Sequence, residues 1–425
     1  MSTTTTGRAG ALDGRSGALD RQPGALDRQF DALDREFDAL DLARLRARPG
    51  AKWQCTPPDV LPAWVADMDF PVPPPVLAAL RAALDTGDLG YPDWPDGATP
   101  VREVFSERMA ARHGWRPPPH EVREFANVTQ AVQVVLQTAT APGDPVAIHV
   151  PAFRPLLAGL ATMNRPMVPI ALTGTGTGTG WEFDADRFAR DVAATGCRAL
   201  ILVNPHNPTG RVFTRAELSA LAAVAERHDL LVIADEVHAD LTYAPAAHVP
   251  FASLHPDVAA RTVTVASASK AFNLAGMRVA ACHIGSPRVR EALAAVPPEL
   301  YGAVGLLGVT ATVAAWTSGD DWLAGVLRYL DGNRRLVAET LAGVPGIVAH
   351  RPEATYLSWL DLTGLDMGPD PAARLLTEAR VLLSSGPDFN PGGDGFARLN
   401  FAAPRPVLRR ILERLLDATA RAGRC

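Results

Sequence analysis

Cysteine is scarce in this chain, and the four present, Cys55, Cys197, Cys282 and Cys425, lack the paired spacing of metal ligands. That argues against a disulfide framework or a zinc site, leaving no metal expected, and points to free thiols in a reducing cytoplasm. No apolar run approaches bilayer length, and the Thr-rich N-terminus lacks the basic-then-apolar layout of a secretory signal. Concentrated Lys/Arg stretches are missing too. With a formal charge of −5, the chain is poorly suited to nucleic acid or a membrane surface and better suited to a small-molecule partner. What is present is apolar residue, 47% of 425 positions, enough for a large core spread over two or three domains.

An Ala-Leu-Asp unit recurs every seven residues, at Leu12, Leu19, Leu26, Leu33 and Leu40. Gly14, Gly17, Pro23 and Gly24 break its first copies and only one seam position repeats, so a coiled coil is not expected. The spacing instead predicts a disordered repetitive extension over residues 1–36, with helix from Phe30 onward. From Trp64, short apolar runs alternate with Ala/Leu/Arg-rich helical stretches. Residues 145–150, 199–203, 230–234 and 262–266 read as buried strands. Thr214 and Glu217 have the spacing of a capping box opening a helix that runs to His228. Strand and helix in this rhythm make an α/β fold with a mostly parallel sheet covered on both faces, whose ligands sit at the carboxyl ends of the strands. After Pro297 and Pro298 the pattern turns mainly helical, including 322–341, which suggests a second, smaller domain. The Thr/Gly repeat over 173–180 lacks the Lys-Ser/Thr ending of a phosphate-binding P-loop and reads as a surface loop.

Three of the four strands run into polar residues of distinct chemistry: Asn204-Pro-His-Asn-Pro-Thr-Gly210, Asp235-Glu-Val-His238 and Ser267-Ala-Ser-Lys270. Singly, an Asn-Pro pair is a turn, a strand-end Asp a helix cap and a lysine a solvated charge. At successive strand ends of one sheet they make a single constellation.

That constellation resembles the fold type I pyridoxal 5′-phosphate (PLP) enzymes of the aminotransferase class I/II superfamily, over nearly everything from Phe37 onward. Pro62-Ala-Trp-Val-Ala-Asp-Met-Asp-Phe70, Gly90-Tyr91, Asp235-Glu-Val-His-Ala-Asp-Leu241 and Ala354-Thr-Tyr-Leu-Ser-Trp-Leu-Asp361 resemble its cystathionine β-lyase-like branch, the carbon–sulfur lyases. The resemblance implies a large PLP-binding domain over 76–305, with a mostly parallel seven-stranded sheet between helices. It also implies an N-terminal segment over 37–75 that joins a smaller α+β domain over 306–425.

The same resemblance assigns expected roles. Lys270 tethers the cofactor covalently and removes the substrate's α-proton. Asp235 keeps the pyridine nitrogen protonated, while Asn207 and His238 serve the ring oxygen; many aminotransferases carry Tyr where His238 stands. Ser267, Ser269 and Arg278 match the phosphate group's partners, joined by Val128, Thr129 and Gln130 in the turn after Asn127. Tyr91 matches a tyrosine that reaches the phosphate from a neighbouring subunit, which implies a homodimer; its alternative is a core aromatic. Phe153 takes the stacking position usually held by Tyr. Arg398 matches the residue that grips the substrate's α-carboxylate bidentately, with the backbone of Ala66 and Asp67 beside it. Trp64, Phe153, Arg154 and Tyr356 are candidates for the side-chain pocket. The expected activity on an amino acid is α,β-elimination. Transamination, or a tailoring reaction of specialised metabolism, uses the same residues, and a regulatory protein holding PLP as a structural ligand would not need the whole set.

Overall fold

The computed structural model describes residues 25–92, 94, 97–174 and 180–422. Its central sheet has seven strands: β1 (Val122–Phe125), β2 (Val146–Val150), β3 (Met167–Ala171), β4 (Ala199–Val203), β5 (Leu231–Asp235), β6 (Thr262–Ala266) and β7 (Ala280–Ile284). They lie in the order β1-β7-β6-β5-β4-β2-β3. Strands β2 to β6 run parallel, and β7 is antiparallel to both its neighbours. The apolar runs explain this: a strand buried on both faces has no polar side to alternate with. Along β4, Ala199, Ile201 and Val203 enter one core layer, while Leu200 and Leu202 enter the layer on the opposite face, as the two-residue period of a strand dictates.

Helix α1 spans Ala25–Asp38, α2 Val128–Ala139, α3 Arg154–Thr162, α4 Arg215–Arg227, α5 Ala268–Ala271 and α6 Asp320–Leu341. The first face of the sheet is covered by α2 and α3 through Val132, Val135, Leu156 and Leu160. The second is covered by α4 through Leu218 and Leu221. Thr214 and Glu217 close the expected capping box at the start of α4, and His228 caps its end. A smaller sheet of β8 (Val348–Ala349), β9 (Leu357–Asp361), β10 (Ser384–Ser385) and β11 (Phe396–Asn400), all antiparallel in the order β8-β9-β11-β10, follows the long helix α6.

The repetitive extension departs from the expectation of disorder over 1–36: residues 25–38 form α1, and residues 1–24 lie outside the described residues. The helix persists because its last copies find a core. Phe37 stacks on Phe70 at 4.2 Å and meets Tyr329 of α6 edge-on at 5.3 Å. Gly325 of α6 admits Leu33 so closely that a Cβ there would stand 2.5 Å from its Cδ2. The centre of the Thr/Gly repeat, 175–179, also lies outside the described residues; its flanks pair as a short antiparallel ribbon. Among the described residues no helix is long and apolar enough to cross a membrane.

Between α1 and the large domain the chain crosses back to the small domain. Leu61–Pro62 pairs in parallel with Val381–Leu382. Lys52 Nζ lies 2.9 Å from Asp69 Oδ2, and Trp53 Nε1 donates to Asp69 Oδ1 at 2.7 Å, all three buried. Replacing one partner of a buried ion pair leaves the other uncompensated. Lys52→Met should therefore lower unfolding stability by ~3–5 kcal/mol, seen as a lowered thermal midpoint; a loss below ~1 kcal/mol would mean that the pair does not hold this segment.

Candidate active site

The parallel register sets Val203 beside Asp235, and Asp235 beside Val265. The segments leaving β4, β5 and β6 therefore emerge side by side at the carboxyl edge of the sheet, where ligands of open α/β sheets bind. There they enclose a cavity of about 170 Å³ lined by Asn207, Asp235, His238, Ser269, Lys270 and Arg278. Ala66, Val128, Thr129 and Phe153 complete the predicted residues on its wall; Asn127, Leu156, Val203, Val237 and Ala275 join them without having been assigned a role.

Lys270 rides on the short helix α5, which Ser267 caps by accepting from the Ser269 N–H at 3.1 Å. The Ser267 hydroxyl is itself spent on Val279 O at 2.5 Å, so it shapes the turn from behind the wall. Lys270 Nζ donates to Ala66 O at 2.8 Å. Burial holds this amine below its ordinary basicity; Asp67 and Asp235 work against that and Arg398 works with it. The chain has two lysines, Lys52 and Lys270. Lys52 is locked onto Asp69, so Lys270 is the one lysine amine facing a cavity.

Asp235 is buried and accepts from the Val237 N–H at 3.2 Å; burial pushes its carboxyl up to about 6, helped by Glu236. His238, also buried, is pushed down to about 3 by burial and by the positive charges of Lys270 and Arg398. It is therefore a neutral imidazole, and its Nδ1 has no hydrogen-bond partner among the described residues. Burial also lowers Arg398, to about 10.

Arg398 lies on β11 of the small domain and is 4% exposed, which rules out a solvated surface ion pair. Its Nη1 donates to Asn207 Oδ1 at 2.9 Å, its Nη2 to Trp64 O at 2.9 Å and Ser384 Oγ at 3.0 Å, and its buried Nε has no partner among the described residues. Arg398, Tyr356 and Asp67 do not line this cavity. The Tyr356 hydroxyl donates to Ala66 O at 2.8 Å, the same carbonyl that receives Lys270. Tyr91 is fully exposed, so it is neither a core aromatic nor part of this chain's own cavity.

At the start of α2, Asn127 Oδ1 accepts the Gln130 N–H at 3.0 Å. The N–H groups of Val128 and Thr129 are left without intrahelical carbonyls, and both residues line the cavity. Gln130 does not meet its phosphate expectation here. Its amide side chain accepts from Ala126 N–H at 2.8 Å and donates to Tyr301 O at 3.1 Å, so it fastens the helix start instead.

Residues that the sequence did not single out fix the wall. Asn273 Nδ2 donates to Met68 O at 3.1 Å and Phe70 O at 2.9 Å. Asn400 Nδ2 donates to Val65 O at 2.6 Å and Asp67 O at 2.7 Å. Ser384 Oγ donates to Trp64 O at 2.7 Å. Asn400 and Asn273 had a signal, their places two residues after Arg398 and three after Lys270; Ser384 had none. Among the described residues no group of His, Cys, Asp or Glu is arranged to hold a metal ion.

The profile of the aminotransferase class I and II family matches residues 67–415. PatB of Bacillus subtilis (strain 168), a cystathionine β-lyase, is 33% identical over 365 residues, spanning 85% of this chain and 92% of PatB. Among solved structures, OvoB superposes with a TM-score of 0.82 at 33% identity, over 88% of this chain and 97% of OvoB. Cystalysin from Treponema denticola, whose crystal structure contains PLP, superposes with a TM-score of 0.83 at 29% identity, over 88% of this chain and 97% of its own.

Asp235 yields a test that needs no catalysis. Its folded value, about 6, lies above the ordinary 3.8. The stabilisation from its protonated form is thus complete below 3.8 and is lost as pH rises through 6. Near neutral pH the cofactor-free protein bears the cost of a buried, unpaired anion, about 3 kcal/mol at most. Cofactor-free Asp235→Asn should melt above the wild type near neutral pH, the gap closing as pH falls toward 3.8. Equal melting at neutral pH would contradict the buried-anion assignment.

Proposed function

This chain belongs to the aminotransferase class I and II family, and we propose that within it the chain acts as a PLP-dependent carbon–sulfur β-lyase. It is an enzyme, and its cofactor is pyridoxal 5′-phosphate. The observation that carries the reading is Lys270 on the cavity wall with its basicity depressed, the chain's other lysine being sealed in an ion pair.

The residues present fit the cofactor. Asp235 is a buried carboxylate with a raised pKa, which a protonated ring nitrogen would return to its charged form. The free N–H groups opening α2, with Thr129, Ser269 and Arg278, suit a phosphate dianion. Phe153 offers a ring face, while Asn207 and the unpartnered His238 Nδ1 offer polar contacts for the ring oxygen.

When bound, PLP supplies an electron sink for the pair left by breaking the substrate's Cα–H bond. Lys270 would hold the cofactor through Nζ, and the same amine, when free, would accept the substrate's Cα proton. A depressed basicity leaves more of that amine neutral and able to accept. Arg398, preset by Asn207, Trp64 O and Ser384, holds the α-carboxylate, so the scissile bond meets Lys270 in one orientation. Loss of the β-sulfur substituent then gives a thiol, with pyruvate and ammonia after hydrolysis. The lyase relatives support elimination from a cystathionine-type amino acid as the outcome. Fully exposed Tyr91, with Leu84 and Leu89 exposed before it, supports a homodimer in which Tyr91 reaches the neighbour's phosphate.

Purified holoenzyme mixed with L-cystathionine should release thiol and pyruvate with no oxo-acid present. Glutamate formation from 2-oxoglutarate in place of pyruvate would assign the chain to transamination instead. Borohydride should fix the cofactor to the wild-type chain at Lys270, and Lys270→Ala should lose the reducible visible band; a reducible adduct surviving in that variant rejects Lys270 as the tether.

A further inference from the structure

An ion pair at the edge of this site is left unused by the elimination chemistry. Arg154, the first residue of α3, follows Phe153 of the cavity wall, and its Nη1 lies 3.0 Å from Asp388 Oδ1. Asp388 belongs to the small domain's turn Gly386–Phe389. In that turn Phe389 carries the Arg398 guanidinium 4.9 Å above its ring, and Phe389 O accepts from Ala152 N–H at 3.0 Å. Asp388 is thus pinned beside the residue proposed for the α-carboxylate, and Arg154 beside the ring proposed to stack on the cofactor. The two domains each contribute one charge. The Arg154 and Asp388 side chains are 70% and 44% exposed, so the pair adds little to stability and opens at little cost.

We propose that Arg154 and Asp388 form a distal subsite that takes the far end of a thioether substrate bearing a second α-amino-acid group. Arg154 pairs with the distal carboxylate and Asp388 with the distal ammonium. The assignment rests on the elimination reading above. A zwitterion carries one charge of each sign on a single carbon, and the open pair presents the complementary two. Exchange of partners leaves no charge uncompensated. Beside Arg154, Phe153 of the cavity wall offers apolar surface for the methylene and sulfur chain. A substrate ending in an alkyl group would gain nothing from opening the pair.

The test compares L-cystathionine with S-ethyl-L-cysteine, which has the same reacting end and no distal charge. In Arg154→Ala and Asp388→Asn the ratio of kcat/KM for cystathionine over S-ethylcysteine should fall about tenfold, with KM carrying the loss. Arg154→Lys should keep most of the ratio. A second readout needs no C–S cleavage: absorbance titration of the holoenzyme with 2,7-diaminosuberate, the carbon analogue of cystathionine, and with norleucine, that of S-ethylcysteine. Wild type should prefer the diaminosuberate and both variants should lose the preference. A ratio unchanged within about twofold overturns the subsite, whether both activities drop together, as for a simple domain latch, or neither drops. Should the wild type cleave neither thioether, the elimination reading fails by itself, and the titration alone decides whether a distal amino-acid group is recognised.

Discussion

The backbone carbonyls of residues 64–70 are the acceptors on which the site depends. Trp64 O receives Arg398 and Ser384, Val65 O receives Asn400, and Ala66 O receives Lys270 and Tyr356. Asp67 O receives Asn400 and Lys52, and Met68 O and Phe70 O receive Asn273. Lys270 and Asn273 come from the large domain; Tyr356, Ser384, Arg398 and Asn400 come from the small one. A bare stretch of chain thereby measures the separation between the lysine and the arginine. Carbonyls suit the task because they accept without carrying a charge that would recouple to the titrating amine.

Burial then sets the electrostatics. Taken from water, Lys270, His238 and Arg398 all bind protons less tightly, and Asp235 binds one more tightly. In each case burial is the largest cause, and the neighbouring charges do not offset it. Asp235 lacks a cation on one side of the cavity, while the opening of α2 with Arg278 lacks an anion on another. A ligand positive at one end and doubly negative at the other satisfies both, and only in one orientation. In the proposed site, charge alone would orient the cofactor before any shape is considered.

Much of this was legible from residue order. The strand over 199–203 was readable because its five apolar residues run without a break into a turn, and parallel register then brings Asn207, Asp235 and Lys270 together. What could not be read was contact between distant segments of ordinary polar type. Asn273, Ser384 and Asn400 look like any amide or hydroxyl until the segment they bind is in place. Arg154 and Asp388 are separated by 234 positions. Gln130 was misdirected by proximity, since being in the right turn does not fix which way an amide points. The helix over 25–38 depends on Phe70 and Tyr329, partners that local propensity does not see.

Lysine usage has a chemical consequence of its own. Of 41 basic Lys and Arg residues, only Lys52 and Lys270 are lysines, and Lys52 is 3% exposed. Guanidinium groups stay protonated and are poor nucleophiles toward carbonyls. A protein that handles a reactive aldehyde and proposedly releases an oxo acid thus offers stray carbonyl compounds few side-chain amines to condense with. The same scarcity that marks Lys270 in the sequence leaves the rest of the surface chemically quiet toward the compounds the enzyme works with.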